Sequence, residues 1–140
     1  MPARTIYLIK RLEIEVTARM TKILSAYEIT PTQYILLNFV EDHPDDLSSA
    51  QLSRRFSMTP QSMNENIKIL QNKELLEKYT DPNHRRILRI SLTQKGIETL
   101  KLCNSAMDGF EKEFLKPFGS MEKVEFRDLM GKLIEGFRNM

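Results

Sequence analysis

The stretch "LLEKYTDPNHRRILRISLT", residues 75–93, decides the fold of this chain. Its two ends, "LLEKYT" and "ILRISLT", read as β-strands, because in the second one every other residue from Leu88 to Leu92 is aliphatic. Between them, the pair "DP" favours a turn, and Arg85 and Arg86 follow it directly. The stretch predicts a β-hairpin that carries two cations at its tip.

Two short helices precede this hairpin. "LSSAQLSRRF" predicts a helix over residues 48–56 in which Ala50 and Leu52 face inward. After the break at "SM", Thr59 is a good N-cap for the helix "TPQSMNENIKILQNKE". The inward stripe of that helix is formed by Met63, Ile67 and Leu70. Two helices joined by a tight turn and followed directly by a hairpin form a winged helix-turn-helix.

Further helices flank this core. Residues 4–27 carry apolar side chains at steps of three and four, and "EITPTQYILLNFVED" begins with Thr30 as a cap. After the hairpin, helical spacing returns up to Phe114, and Ser120 can cap a last helix.

The predicted fold class is mainly α with a small β-hairpin wing. We expect one domain over residues 1–140, because no linker, repeat or low-complexity tract interrupts it. Within it, residues 30–96 form the winged helix-turn-helix core, and residues 1–29 and 97–140 form the flanking helical region.

The charge is uneven along the chain. Residues 54–95 hold nine basic and four acidic side chains, a net charge of +5, within a chain of net charge +2. The rest of the chain therefore has a net charge of −3. A basic middle between acidic ends indicates a local site for a polyanion.

The compartment is predicted from what the sequence lacks. A single cysteine, Cys103, has no internal disulfide partner, which favours a reducing compartment. The first twenty residues contain no signal-peptide core, and the longest charge-free apolar stretch, "ITPTQYILLNFV", is far shorter than the roughly 20 residues of a membrane helix. We expect a cytoplasmic protein.

These motifs in this order resemble the MarR family of bacterial transcription regulators. The most specific is "LLEKYTDPNHRRILRISLTQKG", which matches the family's wing at Asp81, Pro82, Arg86, Leu92, Thr93 and Gly96. "ITPTQYILL" matches the opening of the family's second helix, and "LSSAQLSRRFSMTPQSMNENIKIL" matches its helix-turn-helix. The chain departs from the pattern at three positions: His84 replaces a second wing Asp, Glu74 a frequent Gly, and Glu65 an often basic residue.

The resemblance implies a sequence-specific DNA-binding regulator that acts as a homodimer on a palindromic operator. Repression is the commoner behaviour in the family, and members often bind small phenolic or lipophilic effectors. It also implies dimerisation through the N- and C-terminal helices. The candidate interface residues are Ile6, Ile9, Leu129, Leu133 and Phe137.

The outward face of the second core helix is the candidate reader of bases. Gln and Asn side chains can bond adenine, and Glu can accept a hydrogen bond from the cytosine amino group. The candidates for base contacts lie near the helix N-terminus and are Gln61, Ser62, Asn64 and Glu65, with the cap Thr59 beside them. The candidates for phosphate contacts are Lys68, Arg54 and Arg55.

The hairpin tip supplies the remaining candidates. Arg86 is the candidate for insertion into the minor groove, because narrow A·T-rich grooves attract guanidinium groups. Arg85 is expected to contact the DNA backbone. Arg89 lies in mid-strand, where pairing with Glu77 across the hairpin is an alternative to any DNA contact. His84 raises the further hypothesis of pH-sensitive binding, since histidine charges near neutrality.

Other classes of function have less support in the sequence. An enzyme is not expected, because there is no Gly-rich phosphate loop, nucleophile–base pair or paired carboxylate motif. No cofactor is expected, and no metal site, although His43 lies near Asp42, Asp45 and Asp46. Cys103 reads as a buried, inert thiol. The alternative to a DNA-binding regulator is a winged helix whose basic face contacts a protein.

Overall fold

The structure is a computed structural model that describes residues 3–43 and 47–140. Its elements are, in order, α1 (Thr5–Leu24), a 3-10 turn (Ser25–Tyr27), α2 (Pro31–Asp42), α3 (Ser49–Arg55), α4 (Pro60–Asn72), β1 (Leu76–Thr80), β2 (Leu88–Leu92), α5 (Gln94–Phe114) and α6 (Ser120–Arg138). This order confirms the predicted fold class, a mainly helical chain with one hairpin directly after a helix-turn-helix.

Local capping explains where most of the helices begin. The Thr30 hydroxyl accepts from the backbone N–H of Gln33 at 3.2 Å, and the Gln33 side chain accepts from the backbone N–H of Thr30. Ser48 and Gln51 form the same reciprocal box at the start of α3. Each box satisfies two backbone donors that a helix N-terminus leaves free.

The last helix begins differently from the prediction. Ser120 was expected as its cap, but Gly119 is the N-cap and Ser120 is the first helical residue. The Glu122 carboxylate, three residues further on, accepts from the backbone N–H of Gly119 at 2.9 Å. The side-chain bond at this helix start therefore comes from an acid of the first turn to the N–H of the N-cap residue, and not from a hydroxyl at the cap.

The core of the winged helix is apolar. Met63, Ile67 and Leu70 of α4 are fully buried, as their spacing predicts, and so is Leu52 of α3. Ala50 is exposed, which corrects the expectation that it faces inward. The small inward residue of α3 is instead Ser53, whose hydroxyl donates to the carbonyl of Ser49 at 3.1 Å.

The hairpin is antiparallel, and its register pairs Leu76 with Leu92 and Thr80 with Leu88. Leu76 and Ile90 are buried, whereas Leu88 is 50% exposed. The backbone N–H of Ile90 donates to the carbonyl of Leu47, just before α3, at 3.1 Å. The inner part of the hairpin therefore packs on the core, and β2 is also tied to the segment that leads into α3.

The motif Leu-Thr-x-x-Gly has a structural basis at the start of α5. The Thr93 hydroxyl accepts from the backbone N–H of Gly96 at 2.9 Å and donates to the carbonyl of Glu74 at 2.5 Å. Glu74 itself has a φ of 62°, a left-handed conformation that favours glycine. The position at which the resemblance has a frequent Gly therefore takes a positive φ, although it carries Glu74 in this chain.

The chain divides into two compact units, one ending at Ser105 and a second spanning Ala106–Met140. In the first, α1 exposes Ile6 and Ile9, at 70% and 46%. In the second, the Arg127 guanidinium of α6 lies 3.0 Å from the Glu111 carboxylate. Within the described residues, none of the helices combines the length and apolar composition that crossing a bilayer requires.

Candidate nucleic-acid interface

The turn between α3 and α4 positions the N-terminus of α4. Ser57 takes a left-handed φ of 51°, and the next residue, Met58, donates its N–H to the carbonyl of Ser53 at 3.0 Å. Thr59 is then the N-cap, and its hydroxyl accepts from the N–H of Ser62 at 3.1 Å. Thr59, predicted beside the base contacts, thus has a structural role in starting the helix.

The outward face of α4 is polar and accessible. Gln61, Asn64, Glu65 and Lys68 are exposed, and Ser62 is half-buried. All five candidates on this helix therefore have at least part of their surface open to a ligand. The exposed set contains donors, acceptors and one cation, which are the groups that can bond base edges and phosphates.

A buried amide holds α4 against α2. The Gln33 side chain is 4% exposed, and its Nε2 donates to Oδ1 of Asn66 at 3.4 Å. Asn66 in turn donates its Nδ2 to the carbonyl of Ser62 at 3.1 Å. These hydrogen bonds connect the capping box of α2 with the first turn of the exposed face of α4. The sequence did not predict this connection.

The two arginines of α3 have different surroundings. Arg54 is exposed and lines a cavity of about 240 Å³ between α3 and α4, together with Asn64 and Pro60. Arg55 is also exposed, but its guanidinium carbon lies 5.8 Å from the centre of the Phe39 ring, within the range of a cation–π contact. The Phe39 ring also stacks on His43, with centroids 4.4 Å apart. Arg54 is therefore the less constrained of the two cations.

The tip of the wing is a tight turn with its cations outside. The carbonyl of His84 accepts from the N–H of Ile87 at 2.9 Å, so Arg85 and Arg86 are the two central residues of a β-turn. Both arginines are exposed, and so is His84. The tip presents two guanidinium groups to solvent, as the sequence predicts.

The base of this tip is held by an acid. One carboxylate oxygen of Asp81 accepts from the backbone N–H of Asn83 at 2.8 Å, and the other accepts from Nε of Arg89 at 2.9 Å. The Asn83 hydrogen bond, together with the Arg89 guanidinium, holds the pKa of the Asp81 carboxyl below its ordinary value. Asp81 is 8% exposed and ionised at neutral pH.

Arg89 pairs with Asp81 rather than with Glu77, the partner considered from the sequence. In the register, Glu77 lies opposite Ser91 and Tyr79 opposite Arg89, so that both acids are diagonal neighbours of Arg89. Glu77 is exposed, whereas Asp81 is buried and fixed by the turn. The buried acid needs the cation more, because an unpaired buried charge is costly.

The sequence named two further places for chemistry, the thiol of Cys103 and the acids near His43. Cys103 is fully buried, and burial raises the pKa of its thiol. No three His, Cys, Asp or Glu side chains gather as metal ligands among residues 3–43 and 47–140. Two of the acids considered with His43, Asp45 and Asp46, lie outside the described residues.

Gln51 is a second residue that the sequence reading missed. Its Oε1 lies 3.5 Å from Nη1 of Arg89, and the same oxygen accepts from the N–H of Ser48 at 2.9 Å. The signal for its capping role was present, because a Ser three residues before a Gln is typical of a capping box. Its proximity to Arg89 depends on the fold and has no signal in the sequence.

Comparisons with known proteins agree with this architecture. A family model described as MarR family matches residues 27–87. The HTH-type transcriptional repressor Rv2887 of Mycobacterium tuberculosis is 25% identical over 127 residues, which are 91% of this chain and 91% of that protein. An HTH-type transcriptional regulator of Bacillus subtilis, YsmB, is 26% identical over 80% of this chain and 76% of its own.

Solved structures of related proteins have the same fold. A complex of S. aureus MepR with DNA has a TM-score of 0.82 at 20% identity, covering 96% of this chain and 99% of that one. The M. tuberculosis MarR family protein Rv2887 in complex with salicylic acid has a TM-score of 0.76 at 25% identity, covering 94% and 97%. In sequence over residues 27–87, and in the fold of its winged helix-turn-helix, this chain is therefore similar to the MarR family.

Proposed function

We propose that this protein is a sequence-specific DNA-binding transcription regulator that works as a homodimer on a palindromic operator. The observation that carries the proposal is the pairing, in one compact unit, of an exposed polar helix face with a hairpin tip of two exposed arginines. These are the two elements that a winged helix uses on a duplex, one for the major groove and one for the minor groove.

Helix α4 recognises the DNA sequence. An α-helix fits the major groove, and residues near its N-terminus reach the base edges. Gln61 and Asn64 offer bidentate partners for adenine, and Glu65 accepts from cytosine, with Ser62 and the cap Thr59 at the same end. S. aureus MepR, which has the same fold, has been solved in complex with DNA, and this supports DNA as the ligand of the fold.

The cations supply affinity. Arg86 enters the minor groove, Arg85 contacts the backbone beside it, and Lys68, Arg54 and Arg55 bind phosphates. Phosphate contacts release counterions from the duplex, so binding must weaken steeply as salt is added. The local charge of residues 54–95 agrees with a surface that faces a polyanion.

Two chains form the active species. Leu129, Leu133 and Phe137 of α6 are 58%, 53% and 70% exposed in a single chain, and Ile6 and Ile9 of α1 are exposed as well. Large exposed apolar surfaces mark protein interfaces, and a two-fold dimer matches the symmetry of a palindrome. We accordingly assign residues 1–29 and 97–140 to the dimerisation region and residues 30–96 to the DNA-binding core.

The mode of action we favour is repression, which the binding of a small ligand relieves. The relative Rv2887 is named as a repressor and has been solved with salicylic acid, a phenolic carboxylate. We propose a small phenolic or lipophilic effector for this chain also. The protein acts by binding rather than by catalysis, and it works in the cytoplasm, where its operator DNA lies.

The test of DNA binding is a fluorescence anisotropy titration with the promoter region beside its own gene and with random duplex, each at several salt concentrations. We expect tight, promoter-selective binding with a steep salt dependence, weakened about tenfold or more by Arg86→Ala. Lys101→Ala, which removes an exposed cation of α5, is the matched control and leaves the affinity near that of the wild type. Equal binding to both duplexes, unaffected by Arg86→Ala, would instead favour a winged helix that contacts protein.

The test of the dimer is sedimentation velocity over a range of concentrations. Leu133→Glu places a charge on the apolar face of α6 and should shift the protein to monomer, and operator affinity should fall with it. Lys132→Glu changes the charge of the neighbouring exposed residue and serves as the control. A dimer that survives Leu133→Glu would move the interface elsewhere.

A further inference from the structure

A single guanidinium bridges the wing and helix α3. Nε of Arg89 lies 2.9 Å from Oδ2 of Asp81, and Nη1 of the same group lies 3.5 Å from Oε1 of Gln51. The side chains of Arg89 and Asp81 are 18% and 12% exposed, so their ion pair is largely shielded from solvent. Shielded, hydrogen-bonded ion pairs have a defined geometry that exposed pairs lack.

Both ends of this bridge are fixed to the backbone. At one end, Oε1 of Gln51 also accepts from the N–H of Ser48, at 2.9 Å, and so belongs to the N-terminal cap of α3. At the other end, Oδ1 of Asp81 accepts from the N–H of Asn83 at 2.8 Å, inside the turn that carries the two tip arginines. The bridge therefore runs from a helix terminus to the base of the tip.

Among the described residues, the outer half of the hairpin has little apolar packing beside its backbone hydrogen bonds. Its buried members, Leu76 and Ile90, belong to the inner and middle part, whereas Thr80 and Leu88 at the outer end are exposed. A two-stranded hairpin without apolar packing is marginally stable in water. Ion pairing at Arg89 thus acts where the apolar core stops.

We propose that Gln51, Arg89 and Asp81 form a clamp that aims the wing tip, and that they are positioning residues for the contact of Arg86 with DNA. The DNA part of this proposal rests on the proposed function, but the order of the wing in the free protein does not. The two parts are therefore measured separately.

The first measurement is the backbone order of residues 83–87 in the free protein, from amide relaxation. Arg89→Met keeps the aliphatic stem but removes the guanidinium, and should lower the order parameters from about 0.85 to below about 0.6. Gln51→Glu keeps both the cap and the acceptor and should retain the order. Lys78→Met, which removes an exposed cation from β1 of the same hairpin, is the matched control.

The second measurement is a double-mutant cycle on operator affinity. Arg86→Ala should weaken binding about tenfold in the wild type but less than about threefold in the Arg89→Met background, because the tip is already misdirected there. A guanidinium of Arg89 that merely contacted phosphate would give independent, multiplied losses. Gln51→Glu should again behave as the wild type.

Each outcome has one meaning. A wing as ordered in Arg89→Met as in the wild type overturns the clamp, whatever happens on DNA. An Arg86→Ala loss of equal size in both backgrounds overturns its role in aiming the tip. Wild-type protein that shows no preference for any promoter duplex removes the proposed function, while the relaxation result still decides the clamp.

Discussion

The backbone of Gly96 passes so close to Leu75 that a Cβ atom on residue 96 would lie 2.1 Å from the carbonyl oxygen of Leu75. That oxygen already accepts from the N–H of Thr93 at 3.1 Å, so the strand cannot move away without losing the bond. The close approach joins the end of α4 to the start of α5 and leaves no room for a side chain.

Gly96→Ala should therefore destabilise the protein by about 2–4 kcal/mol, as forced overpacking of backbone does. The matched control is Gly109→Ala in the same helix, where a Cβ would meet nothing within 4 Å. That change should stabilise the protein by about 0.5–1 kcal/mol, because alanine has the better helix propensity. Urea unfolding of both variants measures the difference, and equal stabilities would contradict the close approach.

Glu74→Gly should stabilise the fold by about 0.5–1 kcal/mol. Glu74 has a φ of 62°, where an L side chain is strained and glycine is not, although glycine also gains entropy in the unfolded chain. Lys101→Gly, in the exposed interior of α5, should instead cost about 1 kcal/mol. Thermal unfolding distinguishes the two, and a loss of stability with Glu74→Gly would show that its side chain outweighs the strain.

The wing should loosen only in acid. The pKa of Asp81 is lowered by the Asn83 hydrogen bond and by Arg89, so folding favours the ionised carboxylate. The contribution of Asp81 to the free energy of unfolding is complete above the pKa of the unfolded chain, near 4. It is lost as the pH falls further, through the lower pKa of the folded protein.

Relaxation of the wing amides should hence be constant from pH 7 to about pH 4.5 and change below it. Asp81→Asn keeps the acceptor for the turn but removes the charge, so its wing should show no acid transition. Loosening of the wild-type wing already near pH 6 would contradict the assignment of the transition to Asp81.

Cys103 should react slowly with a thiol reagent. It is fully buried, and burial raises the pKa of its thiol, so folding favours the protonated form. The corresponding stability is complete below about pH 8.5 and declines as the pH rises through the folded value. Labelling with a colourless disulfide reagent at pH 7.5 should be at least about 100-fold slower in the folded protein than in urea. Equal rates would mean that the thiol is accessible.

The sequence predicted the elements better than their contacts. The capping residues Thr30 and Thr59 predict where their helices begin. The spacing of Met63, Ile67 and Leu70 predicts the buried face of α4 without any tertiary information. The prediction that Ala50 faces inward was wrong, because α3 has only two turns and a methyl group has little preference for a buried or an exposed position. The winged helix could thus be predicted from neighbours along the chain.

The clamp could not be predicted in this way. Arg89 has an acid at each diagonal position of the hairpin, Glu77 and Asp81, and the alternation of the strand does not distinguish them. Which of the two acids pairs with Arg89 depends on the burial of Asp81 and on the approach of Gln51 from another element. Such contacts arise from the fold as a whole, and the roles assigned to the DNA-facing side chains remain proposals for the same reason.

The bond from the N–H of Ile90 to the carbonyl of Leu47 uses backbone atoms only. Any residue except proline at position 90 can donate this bond, so this one point of attachment does not depend on which side chain position 90 carries. The tip sequence is consequently free to diverge between related regulators while the hairpin keeps its place. Under the proposed function, new operator preferences could then arise at the wing tip without a change of scaffold.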